Sequence, residues 1–354
     1  MTDLEKLCSR VTEAADCAVI TDDVNRRYFT AMKSSAGTLV VFPEKAYFII
    51  DFRYIEKAKK TVTACEVILQ DKLYEQINSL IKKHGAKTVS VNADTCTLSE
   101  LIAYQQKLNA EVIADTKLAE IIREIRTVKS QEQIDKIIKA QRIAEKGFAH
   151  MLDFIKVGRT EKEIQLELDY YMLKNGAEAL SFDTIALSGS NTSLPHGVPS
   201  DKKVESGEFV LMDFGATYDG WHSDMTRTVC VGKPSDKMKS VYETVLTAQL
   251  AALDAVKAGM SGKALDKIAR DIITEAGYGD NFGHSLGHGV GVEIHESPYA
   301  SPSREDILPE NSIVTVEPGI YLEGKFGVRI EDFVVVTENG CINMTKAPKE
   351  LICL

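Results

Sequence analysis

Apolar residues recur at helical spacing through the C-terminal two thirds of the chain, and pairs of such segments lead into strand-like runs. Ser130–Gln133 and Thr160–Glu163 both have the form of a capping box, which predicts that helices start there. Two further helices are predicted over about residues 236–257 and 261–276. A strand hairpin follows each pair. The order helix–helix–hairpin therefore occurs twice, which predicts a pseudo-two-fold repeat with a curved antiparallel sheet and helices packed outside it.

The first part of the chain has a different pattern, because short apolar runs alternate there with helical segments and predict a smaller α/β unit. Strands are predicted at Cys17–Ile20, Thr38–Phe42, Tyr47–Ile50, Val67–Leu69 and Thr88–Val91. A boundary is predicted near Arg126–Lys129, directly before the first capping box. We therefore predict an α+β protein with two domains, residues 1–125 and 126–354.

Composition excludes several classes of function. The 354 residues carry a formal net charge of −10, which argues against a nucleic-acid partner. Seven cysteines without CxxC spacing are typical of reduced thiols in a cytoplasmic protein. The first ten residues are mostly polar, unlike a signal peptide, and no apolar run approaches membrane-spanning length. We therefore expect a cytoplasmic protein that binds neither nucleic acid nor membrane.

Each predicted hairpin carries two acidic residues among apolar neighbours. In the first hairpin, Asp213 ends an apolar run and Asp224 precedes the next strand. Folding this hairpin about Tyr218 and Asp219 would bring the two acids approximately opposite each other. A buried carboxylate is costly unless it is paired or binds a metal, so the pattern indicates a metal site. For Asp213 alone, a salt bridge or a turn is an equally good explanation.

The second hairpin repeats this arrangement, since folding it about Gly324 sets Glu317 opposite Glu331. Between the hairpins lies the segment Gly283–Gly291, in which His288 is flanked by glycines. Four carboxylates and one imidazole form a ligand set for two divalent ions. The predominance of oxygen favours Mn²⁺, Co²⁺ or Fe²⁺ over a structural zinc. The glycine-rich segment lacks the GxxxxGK[ST] pattern, so we reject a phosphate loop.

Other histidines accompany these candidate ligands. His284 and His295 belong to the same segment as His288, and His196 stands in the motif Pro195-His196-Gly197. Imidazoles near a metal pair could stabilise a tetrahedral intermediate or pass a proton to a leaving nitrogen. The remaining histidines receive other roles. His222 is expected outside the site, His150 in helix packing and His84 at the surface.

Five candidate ligands and two motifs resemble the "pita-bread" metallopeptidases, and within them the Xaa-Pro aminopeptidase and prolidase branch. The motifs are Pro195-His196-Gly197 and the His-Glu-x-Pro of residues 295–298. The resemblance implies a pita-bread catalytic domain preceded by a creatinase-type N-terminal domain. The ligands occur in the family's order and at its spacing: Asp213, Asp224, His288, Glu317 and Glu331.

The resemblance also implies a role for each ligand. Two divalent ions would be held, with Mn²⁺ expected first and Co²⁺, Fe²⁺ or Zn²⁺ as alternatives. Asp224 and Glu331 would bridge both ions, and Asp213 would bind one of them. His288 and Glu317 would complete the coordination of the other ion. Glu317 would also shuttle the proton of a bridging water.

Residues around the metal pair receive roles from the same resemblance. His196 and His295 would contact the scissile peptide and the residue that follows it. His284 would line the same pocket. Tyr321 and Arg329 match positions that orient ligands and substrate.

The implied activity is that of a di-metal aminopeptidase which hydrolyses the N-terminal Xaa-Pro bond of peptides. Two cations lower the pKa of a bridging water and so supply hydroxide near neutral pH. The expected partner is a peptide with proline in second position, and a homodimer is expected from the family.

Three alternatives remain. An Xaa-Pro dipeptidase, or prolidase, would differ only in binding the substrate's C-terminus. Tyr299 stands where some dipeptidases of the family carry a basic residue, which favours the aminopeptidase, although Arg304 or Arg329 could bind that carboxylate instead. A metal-free binding protein of the same fold would be expected to have lost ligands, and all five are present. Methionine aminopeptidase is disfavoured by the additional N-terminal domain.

Overall fold

The computed structural model describes residues 1–354, and the chain divides into two compact units, Met1–Arg126 and Thr127–Leu354. No helix in the chain is both long enough and apolar enough to cross a membrane. Each unit has its own sheets and its own apolar cores. The chemistry predicted from the sequence belongs to the second unit alone.

The N-terminal unit is built on one six-stranded sheet in the order β4-β3-β2-β1-β5-β6. Its strands are β1 (Cys17–Ile20), β2 (Thr38–Val41), β3 (Ala46–Ile50), β4 (Glu66–Leu69), β5 (Thr88–Val91) and β6 (Glu111–Ile113). Its helices are α1 (Asp3–Arg10), α2 (Asp23–Thr30), α3 (Ile55–Thr61), α4 (Leu73–His84), α5 (Leu98–Lys107) and α6 (Lys117–Thr127). The β1–β2 and β2–β3 pairs are antiparallel, whereas the β3–β4, β1–β5 and β5–β6 pairs are parallel.

Both faces of this sheet are apolar. Successive side chains of a strand point to opposite faces, and the central strands carry apolar residues at successive positions. On β1, Ala18 and Ile20 pack into one core, while Cys17 and Val19 pack into the other. Helices cover each core, which explains why the strands appear in the sequence as continuous apolar runs instead of alternating ones.

The C-terminal unit repeats a pair of helices followed by strands. The first half contains α7 (Gln131–Phe154), α8 (Glu161–Lys174), β7 (Ala179–Leu180), β8 (Ile185–Ser188), β9 (Glu208–Phe214), β10 (Ala216–Tyr218), β11 (Trp221–His222) and β12 (Met225–Val231). The second half contains α9 (Asp236–Ala255), α10 (Gly262–Glu275), β13 (Gly287–Gly289), β14 (Glu296–Ala300), β15 (Ile313–Val316), β16 (Gly319–Leu322), β17 (Phe326–Arg329), β18 (Asp332–Thr337) and β19 (Gly340–Asn343).

Helix starts in this unit follow the capping signals. The hydroxyls of Ser130 and Thr160 each accept a hydrogen bond from the third helical N–H, and the side chains of Gln133 and Glu163 bond back. One apolar core joins α7 and α8 to β9 and β12. A second core joins α9 and α10 to strands β15–β18. The predicted order of helix, helix and hairpin is therefore present in both halves.

The register of the first hairpin differs from our prediction. Asp219 and Gly220 both have positive φ, of 50° and 81°, as a type I′ turn requires, so the chain reverses between these two residues. Tyr218 consequently pairs with Trp221, and Asp213 pairs with Thr226 instead of Asp224. The prediction placed the reversal one residue too early, which displaced the strand pairing by two positions.

The second hairpin has the register predicted for it. Gly319 pairs with Arg329 on one ladder, and Val316 pairs with Asp332 on the next. Both pairs belong to the same register, because each step forward on one strand matches one step back on the other. Glu317 and Glu331 therefore occupy facing positions between the two ladders.

A buried ion pair joins the two halves beside this point. The Arg227 guanidinium on β12 lies 2.8 Å from Asp332 Oδ1 on β18, and both side chains are almost completely buried. Arg227 also donates to the carbonyl oxygens of Glu331, Ala347 and Pro348. Because breaking a buried pair leaves an uncompensated charge, this contact fixes β12 against β18. The acids of the two hairpins are thereby brought together.

Candidate metal centre

Side chains from three separate strand regions converge in the C-terminal unit. Ligand atoms of Asp224, His288 and Glu331 all lie within 4.8 Å of one another, and the three residues are buried. His288 Nε2 is 3.5 Å from Asp224 Oδ2 and 3.4 Å from Glu317 Oε1. Asp224 precedes β12, His288 lies in β13, and Glu317 and Glu331 lie beside β15–β18. The convergence depends on contacts between residues that are distant in sequence.

The His288 ring is oriented by its own strand. Its Nδ1 is 3.0 Å from the carbonyl oxygen of Gly289, so this nitrogen carries the proton and donates it. The unprotonated Nε2 then faces the carboxylates, as a metal ligand must. Glycines flank the histidine because the neighbouring strands approach closely. A Cβ atom at Gly287 would lie 1.9 Å from the carbonyl oxygen of Thr315.

Asp213 joins the same cluster through Arg329. The Arg329 guanidinium donates to Asp213 Oδ2 at 2.6 Å. The other oxygen, Oδ1, is buried and has no hydrogen-bond partner. A buried carboxylate oxygen that lacks a partner is costly in free energy, so this atom is suited to a cation.

Burial and mutual repulsion dominate the electrostatics of the acids. Burial, then Asp213 and Glu317, raise the pKa of Asp224 well above its usual range. Burial, then Asp224 and Glu317, raise the pKa of Glu331 in the same way. Burial raises the pKa of Glu317 from 4.5 to about 8, although Arg329 opposes that shift. These shifts show that Asp224, Glu317 and Glu331 are strained as anions when no further cation is near them.

The donor set fits divalent metal ions. Four carboxylates and one correctly oriented imidazole surround the cluster, and Arg329 is the cation that contacts it directly. A bound cation would supply a partner for the free Asp213 oxygen and relieve the repulsion that raises the pKa values of the other carboxyls. The structure therefore places all five predicted ligands together.

A cavity of about 480 Å³ opens above the cluster. His196 and His295 line it and are exposed, so both can reach a bound substrate. The His295 ring lies 4.3 Å from the His288 ring. Burial lowers the pKa of His295, which favours a neutral imidazole at neutral pH. The wall also includes two aliphatic side chains and two aromatic rings that were not predicted as site residues: Ile185, Ile294, Phe182 and Tyr299.

His284 also lines the cavity, but its ring nitrogens are engaged. Nδ1 faces the Ser285 carbonyl oxygen at 2.8 Å, so it donates there. Nε2 then accepts from the Tyr321 hydroxyl at 2.9 Å, and Arg329 donates to that hydroxyl at 2.8 Å. Burial lowers the pKa of His284 to about 4, so the ring is neutral. This series of hydrogen bonds holds Arg329 against Asp213.

Two threonines complete the support of the ligands and were missed by sequence analysis. Thr226 Oγ1 donates to Glu331 at 2.7 Å. Thr315 Oγ1 lies 3.3 Å from Glu317 Oε1 and accepts from the His288 backbone N–H. Polar residues at buried positions within apolar strands were the available signal.

The other histidines lie away from the cavity. His222 contacts Thr217 and does not line it. The His150 ring stacks 4.3 Å from Tyr171, is half-buried and also pairs with Glu167. His84 is exposed and stacks on Phe42.

The α+β fold and a buried, oxygen-rich ligand cluster beneath a histidine-lined cavity define a metal-dependent hydrolase. Residues 135–338 match the model of metallopeptidase family M24, and residues 4–128 match the creatinase/prolidase N-terminal domain. The chain belongs to metallopeptidase family M24, in its Xaa-Pro aminopeptidase and prolidase branch. The predicted fold, a pita-bread domain with a creatinase-type domain before it, is confirmed. Membership of the family implies divalent metal ions and peptide substrates.

Similar proteins cover nearly the whole chain. The Xaa-Pro dipeptidase of Pyrococcus furiosus is 40% identical over 352 residues, which is 99% of each chain. The structure of an Xaa-Pro dipeptidase from Bacillus anthracis has a TM-score of 0.96 at 42% identity and covers 99% of both chains. The structure of an X-Pro aminopeptidase from Thermotoga maritima has a TM-score of 0.91 at 39% identity, covering 96% of this chain and 98% of that one.

Proposed function

We propose that this enzyme is a di-metal peptidase that hydrolyses the bond between an N-terminal residue and a proline in second position. The observation that carries the proposal is the convergence of the five ligands below a cavity lined by His196, His284 and His295. Relatives over the whole chain are named for action on Xaa-Pro substrates, both as dipeptidases and as aminopeptidases. Their similarity to this chain supports the proline preference.

The metal site is proposed to hold two divalent ions, with Mn²⁺ expected first and Co²⁺, Fe²⁺ or Zn²⁺ as alternatives. Asp213, Asp224, His288, Glu317 and Glu331 would hold them, since carboxylates can bridge a pair of ions. Bound divalent ions supply Lewis acidity and lower the pKa of water at the site. The absence of thiolate ligands supports a metal that prefers oxygen.

The chain's own residues are proposed to orient the substrate and move its protons. His196 and His295 are exposed at the cavity wall, where their imidazoles can donate to the scissile carbonyl or to the leaving nitrogen. A proline nitrogen carries no proton in the peptide, so the leaving group must gain one, from His295 or by way of Glu317. Arg329, Tyr321 and His284 hold Asp213 in place through their chain of hydrogen bonds.

A peptide panel tests this function. The purified protein is assayed with Mn²⁺, Co²⁺ or Zn²⁺ on Xaa-Pro dipeptides, on Xaa-Pro-Xaa-Xaa peptides and on matched peptides with alanine in second position. Release of the first residue from proline peptides alone is expected. Equal turnover of the alanine peptides, or no turnover with any metal, would contradict the proposal.

Arg304 is the residue that we expect to separate dipeptidase from aminopeptidase activity. Its guanidinium lies 4.0 Å from the centre of the Tyr299 ring, which lines the cavity. Its contact with Asp306 is long, at 3.4 Å, and the side chain is 45% exposed. Arg329, in contrast, is buried and already bonded to Asp213 and Tyr321. Arg304 is therefore the cation more available to bind a dipeptide's carboxylate.

Arg304→Ala is expected to raise KM for Xaa-Pro dipeptides about tenfold, because one charge-assisted contact is worth roughly 1.4 kcal/mol. KM for longer peptides should stay unchanged, since their carboxylates lie farther from the metals. Lys263→Ala is the control, because this substitution also removes one positive charge. Lys263 pairs with Glu305, the residue next to Arg304. An unchanged KM for dipeptides in Arg304→Ala would exclude this residue as their carboxylate ligand.

We further infer a homodimer and a cytoplasmic location. All seven cysteines are free thiols in the structure, which supports a reducing compartment. Sedimentation analysis of the purified protein tests the dimer, and fractionation of cells tests the location.

A further inference from the structure

The loop that carries His196 is packed at its first turn, where the Gly327 N–H donates to Thr192 Oγ1 at 2.8 Å, and is exposed beyond that turn. It runs from Ser188 to Ser200, and two of its apolar side chains, Leu194 and Val198, are 55% and 83% exposed. His196 itself is exposed at the cavity wall. Exposed loops of this kind open locally at a small free-energy cost unless other contacts fix them. The position of the imidazole in the exposed part therefore depends on the contacts that the rest of the loop makes.

One buried carboxylate, that of Glu161, ties both ends of this loop together. Its Oε1 accepts from the Ser188 backbone N–H at 2.7 Å and from the Ser188 hydroxyl at 3.2 Å. Its Oε2 accepts from the Ser200 backbone N–H at 3.0 Å and from the Ser200 hydroxyl at 2.6 Å. The Asn191 side-chain amide donates to both oxygens, at 3.0 and 3.2 Å. Glu161 is 0% exposed.

The contacts of Glu161 are not needed to cap its helix. The start of α8 is capped by Thr160 and Glu163, which exchange side-chain and backbone hydrogen bonds. The backbone N–H of Glu161 itself donates to the Lys202 carbonyl oxygen at 3.0 Å. Each group that contacts the carboxylate is a donor, so both oxygens of Glu161 act as acceptors at the positive end of the helix. The buried carboxylate therefore binds the loop.

The middle of the loop is fixed from the metal side. Arg329 Nη1 donates to the Pro195 carbonyl oxygen at 3.4 Å, and the same guanidinium holds Asp213. His196 therefore sits between a contact to the ligand cluster and a clamp at the two ends of its loop. A displacement at the clamp would move the imidazole relative to the metals.

We propose that Glu161 is a positioning residue that holds His196 at the substrate-binding cavity by closing the Ser188–Ser200 loop. The inference rests on the proposed function, since it assigns His196 to the substrate. It places Glu161 in α8, outside the five ligands and outside the cavity wall.

Glu161→Gln is the sharpest variant, because a glutamine has the same shape but carries an NH₂ group in place of one oxygen. Backbone N–H groups face both oxygens of Glu161, so either orientation of the amide sets donor against donor at one end of the loop. Glu163→Gln is the matched control on the same helix turn, since glutamine is compatible with a capping box. Ser200→Ala is a milder second variant that removes the hydroxyl at Oε2 and leaves the carboxylate in place.

Hydrogen–deuterium exchange of the metal-loaded protein tests the clamp without relying on activity. Amides of residues 188–200 are expected to exchange at least about tenfold faster in Glu161→Gln than in the wild type, with Glu163→Gln unchanged. Ser200→Ala should shift the same amides by less. Unchanged exchange of this loop in both Glu161→Gln and Ser200→Ala would overturn the proposal, whether or not the protein proves to cleave Xaa-Pro peptides.

A double-mutant cycle tests the link to His196. Glu161→Gln is expected to lower kcat/KM on Xaa-Pro peptides roughly 10- to 100-fold, because small misplacements of reacting groups have effects of that size. Bound metal, measured by elemental analysis, should stay the same. In a His196→Ala background, Glu161→Gln should change kcat/KM by less than about twofold, since residues that act through one another are not additive. Full additivity of the two losses, or loss of metal, would overturn the positioning role.

Discussion

Glu331→Gln is expected to lower kcat/KM on Xaa-Pro peptides by on the order of 10³-fold or more. Glu331 lies in the centre of the ligand cluster, and one of its oxygens accepts from Thr226 at 2.7 Å. Glutamine preserves the shape of the side chain and can still accept that bond. It removes the negative charge that a metal bridge needs. The loss should therefore come from weakened metal binding in an otherwise intact fold.

Two measurements separate this explanation from misfolding. The metal-free variant should unfold at the same temperature as the metal-free wild type or higher, because a buried, repelled carboxylate has been neutralised. Added Mn²⁺ should raise the unfolding temperature of the wild type far more than that of the variant. Glu323→Gln, an exposed change on the β16–β17 turn, should behave as wild type.

Asp224→Ala is expected to lose activity to a similar extent. Retention of full turnover in either ligand variant would contradict the assignment.

Removal of metal is expected to abolish activity and to make the stability of the protein fall as the pH rises. Burial raises the pKa of Glu317 from 4.5 to about 8, and those of Asp224 and Glu331 well above their ordinary values. In the metal-free folded state these groups hold protons that the unfolded chain releases. Stability from such groups is fully present below the unfolded pKa, near 4.5, and is lost as the pH rises through the folded pKa.

Buried histidines have the opposite effect at lower pH. Burial lowers the pKa of His288 to about 3 and that of His284 to about 4. Their contribution is present above the unfolded pKa of 6.5 and is lost as the pH falls through those values. Above pH 6.5 the unfolded chain releases the remaining imidazole protons, which opposes the carboxylate effect by less than about 0.5 kcal/mol for each histidine. The window from pH 6.5 to 8 therefore reports mainly the carboxylates, with roughly 2 kcal/mol lost for each proton that only the folded state holds across it.

Denaturant unfolding of dialysed, metal-free protein between pH 6.5 and 8 measures this effect. The free energy of unfolding should fall across the window in the metal-free wild type. It should fall less steeply in metal-free Glu317→Gln, which lacks one of the titrating groups. Metal-loaded protein should hold its stability, since ligated carboxylates stay ionised. A free energy that is flat or rising with pH in the metal-free wild type would show that the acids are not strained.

The second hairpin shows how far local pattern determines a site. Gly324 has positive φ, at 67°, and the pairing of Gly319 with Arg329 follows from the chain reversal around it. Glu317 and Glu331 were therefore predictable as facing residues. The first hairpin was predicted less well, because Asp219 adopts positive φ together with Gly220. Asp-Gly is nevertheless a preferred pair for a type I′ turn, so the sequence carried the signal for the correct register, and the prediction centred the reversal on Tyr218 and Asp219 instead.

Sequence pattern alone determined the two helix–helix–hairpin halves, their capped helix starts and the acids of the ligand set, because these depend on residues a few positions apart. Only the tertiary structure decided how the halves meet. Arg227 bonds to Asp332, Arg329 reaches Asp213, and Glu161 closes the His196 loop, each across many residues of chain. Such contacts depend on the packing of whole elements, which no local spacing records. That packing forms the candidate metal centre, because it places mutually repelling carboxylates together where water screens them poorly.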